Sequence, residues 1–403
     1  MKYLLKKFTK LTIFALATLL IVLYSEGWRI NSLNTGTDNA TTTEQVYKTG
    51  ILAVRSVPEG AKVFLNGTST TATDDTINSL KTGEYKLVME KEGYEKWEKT
   101  IQVYEDKVTD ITAVLILQSP RLEPLTNLNV AKYAISNNSN NIAFISKNNN
   151  QYGLWLLPLN SNTINIFRNQ SYELATFPLS YKPNETEELI WSQDDKEIYI
   201  KNGNSIYLAY SFNVQSKIIN TTNTLNYSLI KETWINKWNN DFLSAKKELI
   251  LNQGDDVYKL MPEKELQGTF NQWSPDEKKF YFKVEKENKQ KNGKKLYDIY
   301  TYNLDEPLPI DESRLNKVLS DIDLDMYFIS WYADSYHLIV SQKMTDNEFT
   351  LKLFRIDGEN QTNIYNGYLS DQKAYSTPAG DRITVLTTLK KETPNNLYGI
   401  SIR

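Results

Sequence analysis

Hydrophobic and polar positions follow three rhythms along this chain of 403 residues. From Leu11 to Tyr24 no charged residue occurs, and a lysine-rich flank, Met1 to Lys10, precedes that run. Between Gly50 and Leu117 apolar residues alternate with polar ones, a period of two that puts side chains on opposite faces of strands. Five strands are expected there: Ile51–Val54, Ala61–Leu65, Tyr85–Met89, Thr100–Tyr104 and Ile111–Leu117. Turn chemistry separates them at Pro58-Glu-Gly60, Asn66-Gly67, Lys81-Thr-Gly83 and Glu92-Gly93. Short alternating strands over this length predict a small β-sandwich.

From Ser119 onward an eight-residue pattern recurs: aromatic, Ser, variable, Asp, variable, Lys, variable, apolar. Trp191-Ser-Gln-Asp-Asp-Lys-Glu-Ile198 and Trp273-Ser-Pro-Asp-Glu-Lys-Lys-Phe280 are the clearest copies. Trp331-Tyr-Ala-Asp-Ser-Tyr-His-Leu338 and Ile135-Ser-Asn-Asn-Ser-Asn-Asn-Ile142 keep the spacing, and Phe242–Leu249 and Ser376–Ile383 are decayed copies. Ser and Asp suit a tight turn because their side chains bond nearby backbone amides. The turn is followed by a strand (Ile142–Ile145, Ile198–Ile200, Leu249–Leu251, Phe280–Phe282, Leu338–Val340, Ile383–Leu386) and then another (Leu154–Leu157, Ile206–Leu208, Val257–Leu260, Leu296–Tyr300, Leu351–Phe354, Leu397–Ile400). Three or four strands per unit predict a β-propeller of six blades, with seven as the alternative. The chain ends just after the third strand of the last unit, so Pro120–Asn127 is expected to supply its outer strand and close the ring, removing exposed sheet edges.

Composition narrows the function classes. There are 26 Tyr and 8 Trp, a mixture that favours strands. The net charge of -3 comes from interspersed charges, and no basic stripe marks a nucleic-acid surface. The chain has no Cys, which excludes disulfides, thiolate catalysis and cysteine zinc sites. Its one histidine, His337, leaves no room for a histidine metal cluster or an ordinary Ser-His-Asp triad.

The basic flank followed by an apolar run reads as a signal peptide or a signal anchor. No small-x-small cleavage site follows, which favours an uncleaved transmembrane anchor over residues 1–30 with Trp28 at the membrane interface. The positive-inside rule then places the N-terminus in the cytoplasm and the remaining domains outside. Residues 31–48, rich in Asn, Thr and Gly, read as a flexible tether.

Residues Ile51 to Gly67, containing Pro58-Glu59-Gly60-Ala61, with Leu80–Val88 and Lys91-Glu-Gly-Tyr94, resemble the PEGA domain. The resemblance covers residues 49–118 and implies a small extracytoplasmic spacer without catalysis. It departs at Thr73-Asp-Asp-Thr-Ile77, where the family carries a Gly-x-Thr-Pro stretch. Trp273-Ser-Pro-Asp276, Trp191-Ser-Gln-Asp194 and Thr377–Ile383 resemble the TolB-like propeller repeat, over residues 119–403. That likeness implies a fold and no particular chemistry.

Candidate chemistry is sparse. Asp321-Ile-Asp-Leu-Asp325 sets three carboxylates on one face of an extended segment but lacks the EF-hand spacing, so a solvated edge with Ile322 and Leu324 inward is expected. Asp194-Asp195 and Asp255-Asp256 read as turn residues, and Tyr94 and Trp97 as packing rather than a sugar platform. The lysine-rich run Lys286–Lys295 reads as a solvated hairpin. No serine-hydrolase elbow, phosphate loop or dinucleotide fingerprint occurs. The expectation is an all-β ectodomain, sandwich plus propeller, behind one transmembrane helix. It would be a membrane-anchored extracytoplasmic binding protein for a protein, peptide or envelope polymer, with no catalytic, cofactor or metal residues assigned. The alternative is a propeller glycosidase or lyase acting on surface polysaccharide, which requires two or more carboxylates close together at a channel mouth.

Overall fold

The computed structural model describes residues 2–25, 27–33, 43–159, 170–223, 226–238, 273–291, 294–306, 308–310, 312–388 and 394–403. Two compact units divide the chain, one of residues 1–115 with 309–312 and one of 116–308 with 313–403.

The first unit begins with helix α1 (Lys2–Ser25). Gly27, in the left-handed region at φ 81°, follows it, and its amide bonds the Tyr24 carbonyl at 3.2 Å. Among the described residues no helix is long and apolar enough to cross a membrane. The structure therefore does not supply the expected transmembrane span. The uncharged stretch from Leu11 to Tyr24 reaches only about 21 Å at 1.5 Å per residue, against about 30 Å of hydrocarbon. Trp28, expected at the end of that span, opens a strand instead.

Strands β1 (Trp28–Leu33), β2 (Thr43–Val57), β3 (Lys62–Leu65), β4 (Thr68–Ala72), β5 (Asp75–Lys81), β6 (Gly83–Glu90), β7 (Trp97–Val103) and β8 (Val108–Val114) form two sheets. One runs β1-β2-β5 with β8 added parallel to β2, and the other runs β4-β3-β6-β7. Where a tether is expected, the described residues of β1 and the start of β2 form an antiparallel ladder from Trp28 opposite Lys48 to Leu33 opposite Thr43. Leu52, Val54, Val63, Leu87, Met89, Trp97, Ile101 and Ala113 fill the space between the sheets. Trp97 is buried there with Tyr94 packed against the cluster, so both serve packing as expected.

The second unit starts with β9 (Arg121–Pro124) and continues as consecutive antiparallel sheets. Blade 1 is β10 (Val130–Ile135), β11 (Asn141–Asn148), β12 (Gln151–Pro158) and β13 (Tyr172–Thr176). Blade 2 is β14 (Thr186–Trp191), β15 (Glu197–Asn202), β16 (Ser205–Tyr210) and β17 (Ile219–Asn220). Helix α2 (Tyr227–Trp238) follows, laying Ile230 and Trp234 on Tyr199 and Leu208 of blade 2. The next sheet has β18 (Lys279–Lys291), β19 (Lys294–Asn303) and β20 (Leu315–Ile322), and a bridge from Trp273 to Phe280 marks its inner position. After it come β21 (Tyr327–Trp331), β22 (His337–Lys343), β23 (Glu348–Arg355) and β24 (Thr362–Tyr368). The last sheet is β25 (Ala374–Ser376), β26 (Arg382–Thr387) and β27 (Asn396–Ser401), completed by β9 from the start of the unit.

That closure is the one expected from Pro120–Asn127, with Arg121 opposite Ser401 and Pro124 opposite Tyr398. Apolar clusters lie between successive sheets: blade 1 against blade 2, the β18–β20 sheet against the β21–β24 sheet, and blade 1 against the closing sheet. Hydrogen bonds repeat the same order, from Trp191 Nε1 to the Ala134 carbonyl (3.1 Å), Tyr281 Oη to Ile329 O (3.1 Å), Ser330 Oγ to Ala374 O (2.7 Å) and Tyr133 Oη to Lys373 O (3.3 Å). Sheets packed face to face around an axis, closed by a strand from the front of the unit, are a β-propeller. Five sheets of this unit are found among its described residues. The sixth expected unit, anchored at Phe242–Leu249 with its third strand at Val257–Leu260, lies outside them, as does Asp255-Asp256.

Candidate ligand-binding site at the axial mouth

The repeat motif builds one turn five times over. In each copy the second residue pairs with the seventh through the backbone, as Ser192 N to Glu197 O (2.8 Å), Ser274 N to Lys279 O (2.8 Å) and Tyr332 N to His337 O (2.9 Å). The motif serine ties the turn from inside. Ser192 Oγ donates to Asp194 (2.8 Å) and accepts from Glu197 N (2.8 Å), and Ser136 does the same with Asn138 and Asn141 N. The fifth residue is left-handed in every copy: Ser139, Asp195, Glu277, Ser335 and Gly380.

Adjacent turns are bonded to one another. Asp195 reaches across to the turn of blade 1, where its carboxylate accepts from Asn137 N (2.7 Å), Asn137 Nδ2 (2.9 Å) and Asn138 N (3.0 Å). Ser335 Oγ accepts from Asp276 N (3.0 Å), and Ser376 Oγ accepts from Ala333 N (3.2 Å). Burial pushes the Asp195 carboxyl above its ordinary range, against the pull of the Asn137 and Asn138 donors.

Inside this ring of turns lies a pocket of about 410 Å³. Every described sheet of the second unit contributes to it: Ile135–Ser139, Gln193 and Asp195, Trp273–Pro275 and Glu277, Phe328–Trp331 and Ala333, and Tyr375–Pro378. Four rings (Trp273, Phe328, Trp331 and Tyr375) give it apolar wall, and Phe328 meets Tyr375 edge to face at 5.3 Å. Serines, asparagines and two carboxylates, Asp195 and Glu277, give it polar points. That size and mixture of walls match a small-molecule or side-chain pocket. No site residue was assignable from the sequence, although most of the lining is made of motif residues.

The other candidates serve the fold. Asp321 pairs with Lys286 at 2.9 Å, and Lys294 reaches both Asp323 (3.5 Å) and Asp325 (2.6 Å). Ile322 is buried and Leu324 packs on the same cluster, as expected for a solvated edge. The acidic run and the lysine hairpin thus neutralise each other, and no metal-holding group of His, Asp or Glu occurs among the described residues. His337 is buried with Nδ1 at 2.7 Å from Asp334 Oδ2. Burial opposes the Asp334 charge, but His337 and two backbone amides outweigh it and hold that carboxyl low. Lys279 is wholly buried, held by Asp276 (2.8 Å) and Asp305 (2.9 Å) with the Tyr336 ring centroid 4.1 Å from its Nζ.

Residues 49–118 match the PEGA domain. No curated protein matches the chain. Among solved structures, TolB from Acinetobacter baumannii is similar at 13% identity and a TM-score of 0.25, over 79% of this chain and 60% of that one. The chain thus spans less than two thirds of that TolB. The β-propeller domain of the Trilobed protease from Pyrococcus furiosus is similar at 11% identity and TM-score 0.23, over 89% and 84%. An oligogalacturonate lyase in complex with manganese is similar at 10% identity and TM-score 0.26, over 93% and 96%.

Proposed function

We propose that this chain is an extracytoplasmic binding protein whose propeller receives its ligand in the axial pocket, a segment of a protein, peptide or envelope polymer. Helix α1 holds it at the cell membrane, and the PEGA domain is a non-catalytic module between the two in chain order. The observation that carries the reading is that all five described sheets bring their turns to one pocket lined by rings and polar groups. A site assembled from every sheet is rigid, because each turn is braced by its neighbour, and a rigid concave surface loses little entropy on binding. Apolar side chains of α1 from Leu11 to Tyr24 stand exposed, and burying them in lipid would relieve that exposure.

Plugging the pocket tests the reading. Ala333→Trp puts an indole into the lining while leaving the turn's backbone bonds intact. The variant is expected to unfold at the same temperature as the native chain but to lose retention of envelope components on an immobilised column. Undiminished retention would refute axial binding.

A second reading draws on Asp195 and Glu277, two carboxylates lining one pocket, one of them raised by burial. That is the arrangement a glycoside-active propeller would need. Against it, Asp195 already accepts three N–H donors as a bracket between turns, leaving little freedom for proton transfer. Turnover of envelope polysaccharide by the native chain, abolished in Glu277→Gln, would favour the enzyme.

A further inference from the structure

We infer that Lys279 and Asp305 condense into an isopeptide bond, a covalent staple between the start of β18 and the segment after β19. The chain has no cysteine for a disulfide in that role. Lys279 is the seventh residue of its turn, where the other described copies carry Asn141, Glu197, His337 and Arg382. It is the one primary amine among them, and it is 0% exposed. Its Nζ lies 2.8 Å from Asp276 Oδ2 and 2.9 Å from Asp305 Oδ2, with the Tyr336 ring centroid 4.1 Å away. Both carboxylates are fixed by neighbours. The Asp305 amide donates to Asn303 Oδ1 (2.9 Å), its carbonyl accepts from Arg314 Nη1 (3.2 Å), and its Oδ2 accepts from Tyr336 Oη (2.7 Å). Asp276 Oδ1 accepts from Ser274 Oγ and from the Lys278 amide (3.0 Å). Lys196 in blade 2 gives the contrast: it meets Asp194 at 3.3 Å with 67% of its side chain exposed, an ordinary surface pair.

Holding an amine against a carboxyl in one buried place makes the reaction effectively unimolecular, and excluding water slows the reverse hydrolysis. Asp276 is the adjacent base that a lysine nucleophile needs. Burial opposes the Asp305 charge, but Tyr336 and Lys279 outweigh it, so the cluster starts as an ion pair. Asp276 takes one ammonium proton and passes it to Asp305 Oδ1. The freed electron pair of Nζ forms a bond to Asp305 Cγ. A second proton leaves the nitrogen for Oδ1, the Cγ–Oδ1 bond breaks, and Oδ1 departs as water. Tyr336 Oη keeps its bond to Oδ2, which becomes the amide carbonyl oxygen. Nothing is oxidised or reduced, and Asp276 ends as it began. The product is a neutral amide in place of a buried ion pair, which is costly to desolvate.

The test is a peptide map of the full chain, purified in detergent micelles and denatured before digestion with trypsin. Trypsin is expected to cut after Lys278 but not after Lys279. It should release one branched peptide joining Lys279–Lys283 to Leu296–Arg314, lighter than the two together by one water. Lys279→Arg and Asp305→Ala should abolish the branch. Asp276→Asn, which keeps both bonding partners in place, should lower the branched fraction about tenfold, the effect of losing a general base. The native chain is decisive on its own, so a variant that fails to fold does not blur the answer. Recovery of both linear peptides from it, with normal cutting after Lys279, would overturn the inference. So would a branch from Lys279 to any other carboxylate, Asp276 included.

Discussion

Ser139, Asp195, Glu277 and Ser335 hold left-handed φ values between 56° and 63°, a region that costs an L-residue about 1–2 kcal/mol. The fifth copy of the turn has Gly380 there, at φ 64°. Two of the four strained residues, Asp195 and Ser335, bond the neighbouring turn, and Ser139 and Glu277 line the pocket. Ser139 is the clean test. Ser139→Gly is expected to stabilise the chain by about 0.5–1 kcal/mol in urea unfolding, the gain being reduced by the greater freedom of the unfolded chain. Gly380→Ala should cost more than that, because its Cβ would stand 2.8 Å from the Tyr332 hydroxyl. Asp298 makes the pH-dependent case. Burial opposes its charge, but Lys317 (2.9 Å), the Asp321 amide (3.0 Å) and Lys286 (3.2 Å) outweigh it and lower its pKa. A lowered carboxyl contributes stability that is present above its unfolded value of about 3.9 and is lost as pH falls through the folded value. Asp298→Asn should therefore cost about 1–3 kcal/mol at neutral pH and flatten the acid limb of a pH–stability curve. An unchanged acid limb would remove Asp298 from the account. Residue identity at the turns was legible because Ser and Asp act locally; which turns touch across blades was not, since Asp195 meets Asn137 through a contact no spacing encodes.

Elements with a buried face were legible and elements without one were not. Every strand expected behind the five described copies of the motif is present, because residues such as Ile142, Phe144 and Ile198 must turn inward. Strands β4 and β5 escaped: Thr-Ser-Thr-Thr-Ala and Asp-Thr-Ile-Asn-Ser-Leu-Lys bury almost nothing and exist through ladders to β3 and β2. The ladder of β1 with β2 was hidden by the same polar composition. Helix α2 escaped because the packing seen on blade 2 rests on two residues, Ile230 and Trp234, four apart. The closing strand was legible from chain ends alone. Just beyond it Thr126 adds a side-chain tie, its hydroxyl accepting from the buried Leu397 amide (3.0 Å) and donating to Asn396 (3.2 Å). Thr126→Val keeps the shape and strands that amide, so a loss of about 1–3 kcal/mol is expected in denaturant unfolding. Loss no larger than for an exposed threonine such as Thr68→Val would mean that β9 does not hold the ring.

At the scale of the whole molecule, the absence of cysteine makes topology directly measurable. Single cysteines at Ile13, Glu59 and Gln193 are expected to divide under a membrane-impermeant maleimide on intact cells. Glu59→Cys and Gln193→Cys should label and Ile13→Cys should not; labelling of Ile13→Cys alone would reverse the placement. The pocket itself was legible only in part. Its residues include the motif residues Trp273, Ser274, Trp331 and Ser376, but their convergence belongs to the ring and not to any one repeat. The most direct test of the account is photo-crosslinking in the intact envelope. A benzophenone amino acid replaces Glu277 at the pocket, and in a separate variant it replaces Glu59 in the PEGA domain. An adduct formed at 277, absent at 59 and lost when Ala333→Trp fills the pocket, is the predicted result. An adduct at 59 alone, or one at 277 that survives the plug, would contradict ligand binding on the propeller axis.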